Sequence, residues 1–118
     1  MKKFIYLLIF FITIGFITGC TKVSDEDLMK AREAVKNGAL IVDVRTPKEF
    51  KQKHISDAIN LPIEKIMKGY INLPKDKVLV VYCRTGSRSS VATKILREKG
   101  WSVIDVATQD EWERELSE

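Results

Sequence analysis

The chain has 118 residues, 45% of them hydrophobic and 31% charged, enough for one domain with a modest core and too few for two. Twenty Lys and Arg against sixteen Asp and Glu give a net charge of +4, but the signs are mixed along the chain and nothing resembles a nucleic-acid-binding stripe, so no nucleic-acid partner is expected. One histidine and two cysteines fall short of a metal site, and no cofactor-binding pattern is present.

Met1-Lys2-Lys3 is a basic start, followed by an uncharged, largely apolar run over residues 4–19. That run is shorter than the roughly 20 apolar residues a spanning helix needs. It ends in Ile17-Thr18-Gly19-Cys20, and basic, apolar, then small is the order of an export signal. The last four residues also resemble a bacterial lipobox, whose cysteine is diacylated and becomes the new N-terminus. The expectation is a lipoprotein-type signal peptide over residues 1–19, lipidation at Cys20, a short tether over 20–23 and one folded domain over 24–118. An uncleaved anchor is the alternative. Either outcome holds the domain outside the cytoplasmic membrane of a bacterium, on the periplasmic side or the cell surface. Losing Lys2 and Lys3 with the signal lowers the net charge from +4 to +2. With Cys20 lipidated, Cys83 is the one thiol left, so no internal disulfide is expected even in an oxidising compartment.

Ser24 followed by Asp25-Glu26-Asp27 reads as a helix N-cap with acids in the first turn. Leu28, Ala31, Ala34 and Val35 supply the apolar face and Gly38 the stop. Residues 40–44 form the first clear strand. Pro47 suits the first turn of a short helix, which would set Arg45 beside Glu49 as a structural ion pair. Asp43, at a strand end, is a candidate general acid or base, and His54 a candidate partner for a cysteine nucleophile. Residues 63–67 make a short helix ending near Gly69, and 73–77 a polar turn. After Gly100, residues 101–106 read as the last strand and 110–116 as a terminal amphipathic helix. Trp101 and Trp112 are expected to pack, with no cofactor implied.

Between these lies the stretch that carries chemistry. Residues 78–82 are five apolar residues, three of them β-branched, and read as a strand buried on both faces. Cys83 ends the strand, a Gly/Ser/Thr/Arg turn follows, and Val91, Ala92, Ile95 and Leu96 recur at helical spacing up to Lys99. A cysteine at the carboxyl end of a buried strand, facing a helix N-terminus, sits where open α/β sheets bind their ligands. Free N–H groups at the helix start favour an anion, and Gly86 lets them converge. Arg84 and Arg88 add two permanent cations. A thiol in such a field is expected to serve as a thiolate nucleophile at neutral pH. The plain alternative, a small buried hydrophobe, gives no reason for two arginines and a glycine turn beside it.

Cys83-Arg84-Thr85-Gly86-Ser87-Arg88 resembles the active-site loop of the rhodanese family, the single-domain sulfurtransferases. Related phosphatases and arsenate reductases carry an arginine one position later, where this chain has Ser89. A second, independent series also resembles the family: Asp43-Val44-Arg45, Glu49-Phe50, His54-Ile55 and Ala58-Ile59-Asn60-Leu61-Pro62. The resemblance implies a rhodanese-like three-layer α/β domain, with a central, mainly parallel sheet and helices on both faces. It implies a Cys83 persulfide, with Arg84, Thr85, Gly86, Ser87, Arg88 and Ser89 binding substrate. It gives Asp43, Arg45, Glu49 and His54 structural roles. Three positions depart from the family pattern. Lys53 and Asp57 replace glycines, and Asp57 tolerates positive φ better than Lys53. Ala107-Thr108-Gln109 stands where Gly-Gly is common, at a junction bordering the active-site mouth.

The expected function is transfer of sulfane sulfur from a small anionic donor such as thiosulfate to cyanide or a thiol, the latter on a small molecule or a partner protein, by a monomer. A non-catalytic persulfide carrier or anion-binding module is the alternative, distinguished by stable persulfide without repeated turnover. A cysteine-dependent phosphatase or arsenate reductase is a further one, distinguished by turnover of phosphoester or arsenate.

Overall fold

β-branched residues dominate the segments that become the sheet, and side chains of successive strand residues point to opposite faces. In the computed structural model, which describes residues 22–117, four strands form: β1 (Leu40–Asp43), β2 (Ile59–Asn60), β3 (Leu79–Cys83) and β4 (Val103–Thr108). They pair in the order β2-β1-β3-β4, all parallel. The expected signal peptide and the lipidation at Cys20 lie outside the described residues.

Among the described residues five helices cover the sheet: α1 (Asp25–Lys36), α2 (Pro47–Gln52), α3 (Ile63–Met67), α4 (Ser87–Glu98) and α5 (Gln109–Glu113). Ile41, Val80, Tyr82 and Val106 pack on one face with Leu28 and Ala31 of α1, Phe50 of α2 and Trp112 of α5. Val42, Leu79, Val81 and Val103 pack on the other with Ile66 of α3, Ala92 and Leu96 of α4, and Trp101. The result is the three-layer α/β arrangement, with β3 buried along its whole length as its apolar run requires. Burying a side chain of this size contributes about 1.5–3 kcal/mol, so the two half-cores carry the stability of the domain.

Local signals act where the sequence places them. Ser24 caps α1 by accepting from the Asp27 N–H, and Thr46 forms a reciprocal capping box with Glu49 around Pro47. Asp57 takes φ 66°, as glycine would, while Lys53 is extended at φ −165° and needs no glycine.

Four expectations are corrected. The buried stripe of α4 is Ser89, Ala92, Thr93 and Leu96, an i, i+3, i+4, i+7 set, which turns Val91 outward to 48% exposure. The last strand starts later, at Val103, and the terminal helix stops at Glu113 instead of running to 116. Arg114 is extended there because its guanidinium is held by Asp25, Glu111 and the Val23 carbonyl. Those bonds also shorten the expected tether, since Val23 is buried in the core and its N–H donates to Glu111 at 3.3 Å.

Candidate active site

The strand β3 delivers Cys83 to the carboxyl end of the sheet, and the chain turns at once into α4. Gly86, the N-cap of that helix, sits at φ 97°, a left-handed conformation that a side chain would strain. This turn brings two backbone donors onto the sulfur: Gly86 N–H at 3.0 Å and Ser89 N–H at 3.3 Å from Sγ. The Ser89 hydroxyl donates to the Gly86 carbonyl at 3.1 Å and locks the turn from within. Both donors belong to the unpaired set at a helix start, so the sulfur faces the positive end of α4.

Cys83 is itself 1% exposed, and it forms the floor of a cleft of about 160 Å³ lined also by Arg45, Lys53, Arg84, Thr108, Gln109 and Asp110. Arg84 is exposed at this mouth and makes no ion pair among the described residues. Thr85 and Ser87 point elsewhere: both are exposed, bonded to each other at 3.3 Å, and neither lines the cleft. The two arginines of the loop therefore differ. Arg88 turns inward and makes a two-pronged pair with Glu49 of α2, at 2.7 and 3.0 Å. Glu49 is the main cause that raises the Arg88 pKa, and the nearby Cys83 sulfur is a smaller one.

The expected Arg45–Glu49 pair is not formed. Arg45 instead folds back on Asp43, with Nη2 2.6 Å from one carboxylate oxygen and Nε 2.9 Å from the other. Asp43 is fully buried, and a buried carboxylate needs a cation and hydrogen bonds close by. Glu49, held by its capping box, is left for Arg88. The second oxygen partner of Asp43 is the Tyr82 hydroxyl at 2.9 Å, which in turn accepts from the Ile55 N–H. Tyr82 stands directly opposite Asp43 in the parallel register, on the same face. Its signal in the sequence is a lone hydroxyl in an otherwise apolar strand, which must find a partner when buried. Burial is also the main reason the Tyr82 pKa is pushed up to about 12.

Asp43 thus organises loops and does not reach the cleft. Arg45 extends that network to the mouth, donating to the Lys53 carbonyl at 2.6 Å and so fixing a second cation at the rim. Lys53 and Asp110 carry no motif signal, and their place at the cleft follows only from loop packing. His54 does not line the cleft; it is exposed, stacked on Phe50 at 3.8 Å, with Nδ1 2.7 Å from the Phe50 carbonyl.

At the junction where glycines are common in the resembling family, β4 carries an extra residue: Val81 pairs with Asp105 and Tyr82 with Ala107, leaving Val106 as a bulge. Ala107 takes φ 62°, at a cost of about 1–2 kcal/mol relative to an unstrained residue. Its N–H donates to the Asp105 carboxylate at 2.8 Å, and the kink sets Thr108 opposite Cys83. Thr108 then caps α5 through the Glu111 N–H and lines the cleft beside Gln109.

The Arg88 guanidinium holds the Glu49 carboxyl at about 2, well below its usual 4.5. A carboxyl depressed in the folded state stabilises fully above its unfolded value and loses that contribution as the pH falls through its folded value. Glu49→Gln is therefore expected to destabilise the domain by a constant amount above pH 4.5, and by progressively less down to about pH 2. Denaturant melts of both proteins across that range check it; a gap that does not narrow in acid would show the pair to be without electrostatic value.

A family profile for the rhodanese-like domain matches residues 24–108. The chain is similar to a sulfurtransferase of Allochromatium vinosum, 39% identical over 80 residues, covering 68% of this chain and 75% of that protein. It is also similar to the thiosulfate sulfurtransferase PspE of Escherichia coli, 34% identical over 68 residues, 56% of this chain and 65% of that protein. Among solved structures, a rhodanese-related protein of Thermoplasma volcanium superposes with a TM-score of 0.62 at 29% identity, over 77% of this chain and 88% of that one.

Proposed function

The chain belongs to the rhodanese-like domain family, and on that premise we propose that it is a sulfurtransferase that carries sulfane sulfur on Cys83. The observation that supports this most directly is the sulfur of Cys83 receiving two backbone N–H groups at the floor of a cleft rimmed by Arg84 and Lys53. Those donors cannot be withdrawn, because the Gly86 turn and the Ser89 hydroxyl hold them. They are placed to stabilise negative charge on the sulfur at each step where it develops.

With thiosulfate as donor, the Cys83 thiolate attacks the outer sulfur. The bond between that sulfur and the sulfonate sulfur breaks, its electron pair leaves on sulfite, and a Cys83 persulfide anion remains. An acceptor thiolate or cyanide then attacks the terminal sulfur and restores the Cys83 thiolate. Each half-reaction conserves charge and needs no oxidant, metal or second catalytic base, which suits a site whose only histidine lies elsewhere. The named activity of the Escherichia coli relative favours thiosulfate as donor. The test is to incubate the domain with thiosulfate and weigh it intact. A gain of one sulfur atom, removed by cyanide, is expected; no gain overturns the reading.

Of the two loop arginines, Arg84 has no ion pair among the described residues and can meet a dianion at the mouth, while Arg88 is occupied by Glu49. Arg84→Ala is expected to raise the KM for thiosulfate about tenfold with little change in kcat, the loss of one charge-assisted contact of 1.5 kcal/mol or so. Steady-state kinetics over a range of thiosulfate concentrations decide it; an unchanged KM would remove Arg84 from donor binding.

The export signal and the cysteine at its end lead us to place the domain outside the cytoplasmic membrane, attached by lipid at Cys20. Membrane fractionation with intact mass of the N-terminal peptide tests that placement.

A further inference from the structure

We propose that the mouth of the Cys83 cleft lies against the lipid surface to which the chain is attached, so that the partner this face meets is the bilayer and not a soluble protein. The inference rests on the anchor reading above and adds an orientation to it.

The argument starts from where the folded domain begins. Its first buried residue, Val23, is held through both its backbone N–H and its carbonyl. Its N–H donates to Glu111 at 3.3 Å, and its carbonyl accepts from Arg114, which also pairs with Asp25 and Glu111. Glu111 is the next residue after Asp110, which lines the Cys83 cleft together with Gln109 and Thr108. The chain therefore enters the domain beside the cleft, at the carboxyl end of the sheet. The topology requires the same thing. α1 ends at Lys36, just before the amino end of β1, so its start lies at the opposite, carboxyl end where the strands deliver Cys83.

Two residues, Thr21 and Lys22, separate Cys20 from Val23, which makes three Cα-to-Cα steps. Even fully extended, they reach at most about 11 Å. A lipid-linked Cys20 thus holds Val23 within about that distance of the headgroups, and the rim residues Gln109 and Asp110 directly precede the Glu111 that binds Val23. Amphipathic insertion is not needed, and charge does not drive the contact. The acids Asp25, Glu26, Asp27 and Asp110 at this end of the domain outnumber the rim cations Lys53 and Arg84, so charge supplies no pull toward anionic headgroups. A small anion enters such a gap from the side. A folded soluble protein does not, so an acceptor of protein size has to be carried in or on the same membrane.

The test uses the full chain in bacterial membranes, with Cys83→Ser so that one engineered thiol reports. Asp110→Cys places that thiol at the cleft rim, and Asn37→Cys places a control at the far end, in the exposed turn after α1. Each is made with the native tether and with a Gly/Ser insert of about 20 residues between Thr21 and Lys22, which spans about 25 Å on average. A long poly(ethylene glycol) maleimide is expected to label Asp110→Cys roughly tenfold more slowly on the native tether than on the long one, because only the long tether lets the rim turn away. Asn37→Cys should label equally on both tethers, and the difference at Asp110→Cys should persist in 1 M salt, where screening reaches about 3 Å. Equal labelling of Asp110→Cys on both tethers, with Cys20 acylated, overturns the orientation alone. An unacylated Cys20 in a soluble chain overturns the anchor reading and the orientation with it.

Discussion

Cys83→Ser is expected to abolish the thiosulfate-dependent gain of one sulfur and to lower sulfur transfer by roughly 10⁴-fold or more, the scale seen when a covalent nucleophile is removed. The replacement is close to isosteric, and its oxygen can accept from the same Gly86 and Ser89 N–H groups that now meet Sγ. The fold should therefore survive, with a melting temperature near that of the parent. What is lost is an atom that can form and release a sulfur–sulfur bond. The hydroxyl stays protonated at neutral pH and offers no route to a persulfide. Intact mass, cyanide-dependent turnover and a thermal melt on the same samples separate chemistry from folding. Retained turnover in Cys83→Ser would mean that sulfur moves without a covalent intermediate, and the proposed mechanism would fall.

The largest effect on stability is expected at Asp43. This carboxylate is fully buried and accepts from the Arg45 N–H, the Arg45 guanidinium and the Tyr82 hydroxyl. Asp43→Ala leaves a guanidinium and a phenol without their partner, in a space that two strands and the loop before Ile55 close off. Removing one member of a buried pair typically costs about 3–5 kcal/mol. In a domain of this size each kcal/mol moves the melting temperature by roughly 4–8 °C, so a drop of about 15 °C or more is expected. Asp43→Asn keeps an acceptor for Tyr82 and should lose less. Because Arg45 also holds the Lys53 carbonyl, residual folded Asp43→Ala should have a looser cleft rim and weaker thiosulfate binding. A melting temperature within a few degrees of the parent would show that the network is replaceable by water.

The two arginines of the cysteine loop illustrate how far local reading goes. Their presence beside Cys83 and the glycine between them are enough to predict an anion-binding turn. The division of labour is another matter: Arg88 is taken by Glu49, 39 positions away in the chain, and Arg84 is not. Nothing local distinguishes two exposed-looking cations four residues apart; the choice is made by the fold setting Glu49 of α2 within reach of Arg88 at the start of α4. The same limit explains the misassigned Arg45–Glu49 pair. Sequence proximity made it plausible, whereas a buried Asp43, itself created by the pairing of β1 with β3, outbid Glu49 for the guanidinium.

By itself the sequence determined whatever is settled within a few residues. That includes the cap at Ser24, the helix start at Pro47, the glycine turn at Gly86, the buried strand that ends in Cys83, and the alternation that puts helices on both faces of the sheet. These follow from sterics, hydrogen-bond supply and the two periodicities of strand and helix, all of which are local. Only the tertiary structure decided which side chains meet across the fold: Tyr82 with Asp43, Arg88 with Glu49, and Val23 with Glu111 over 88 positions. A long polar side chain has many partners within reach of its chemistry, and the packing of distant elements leaves it one.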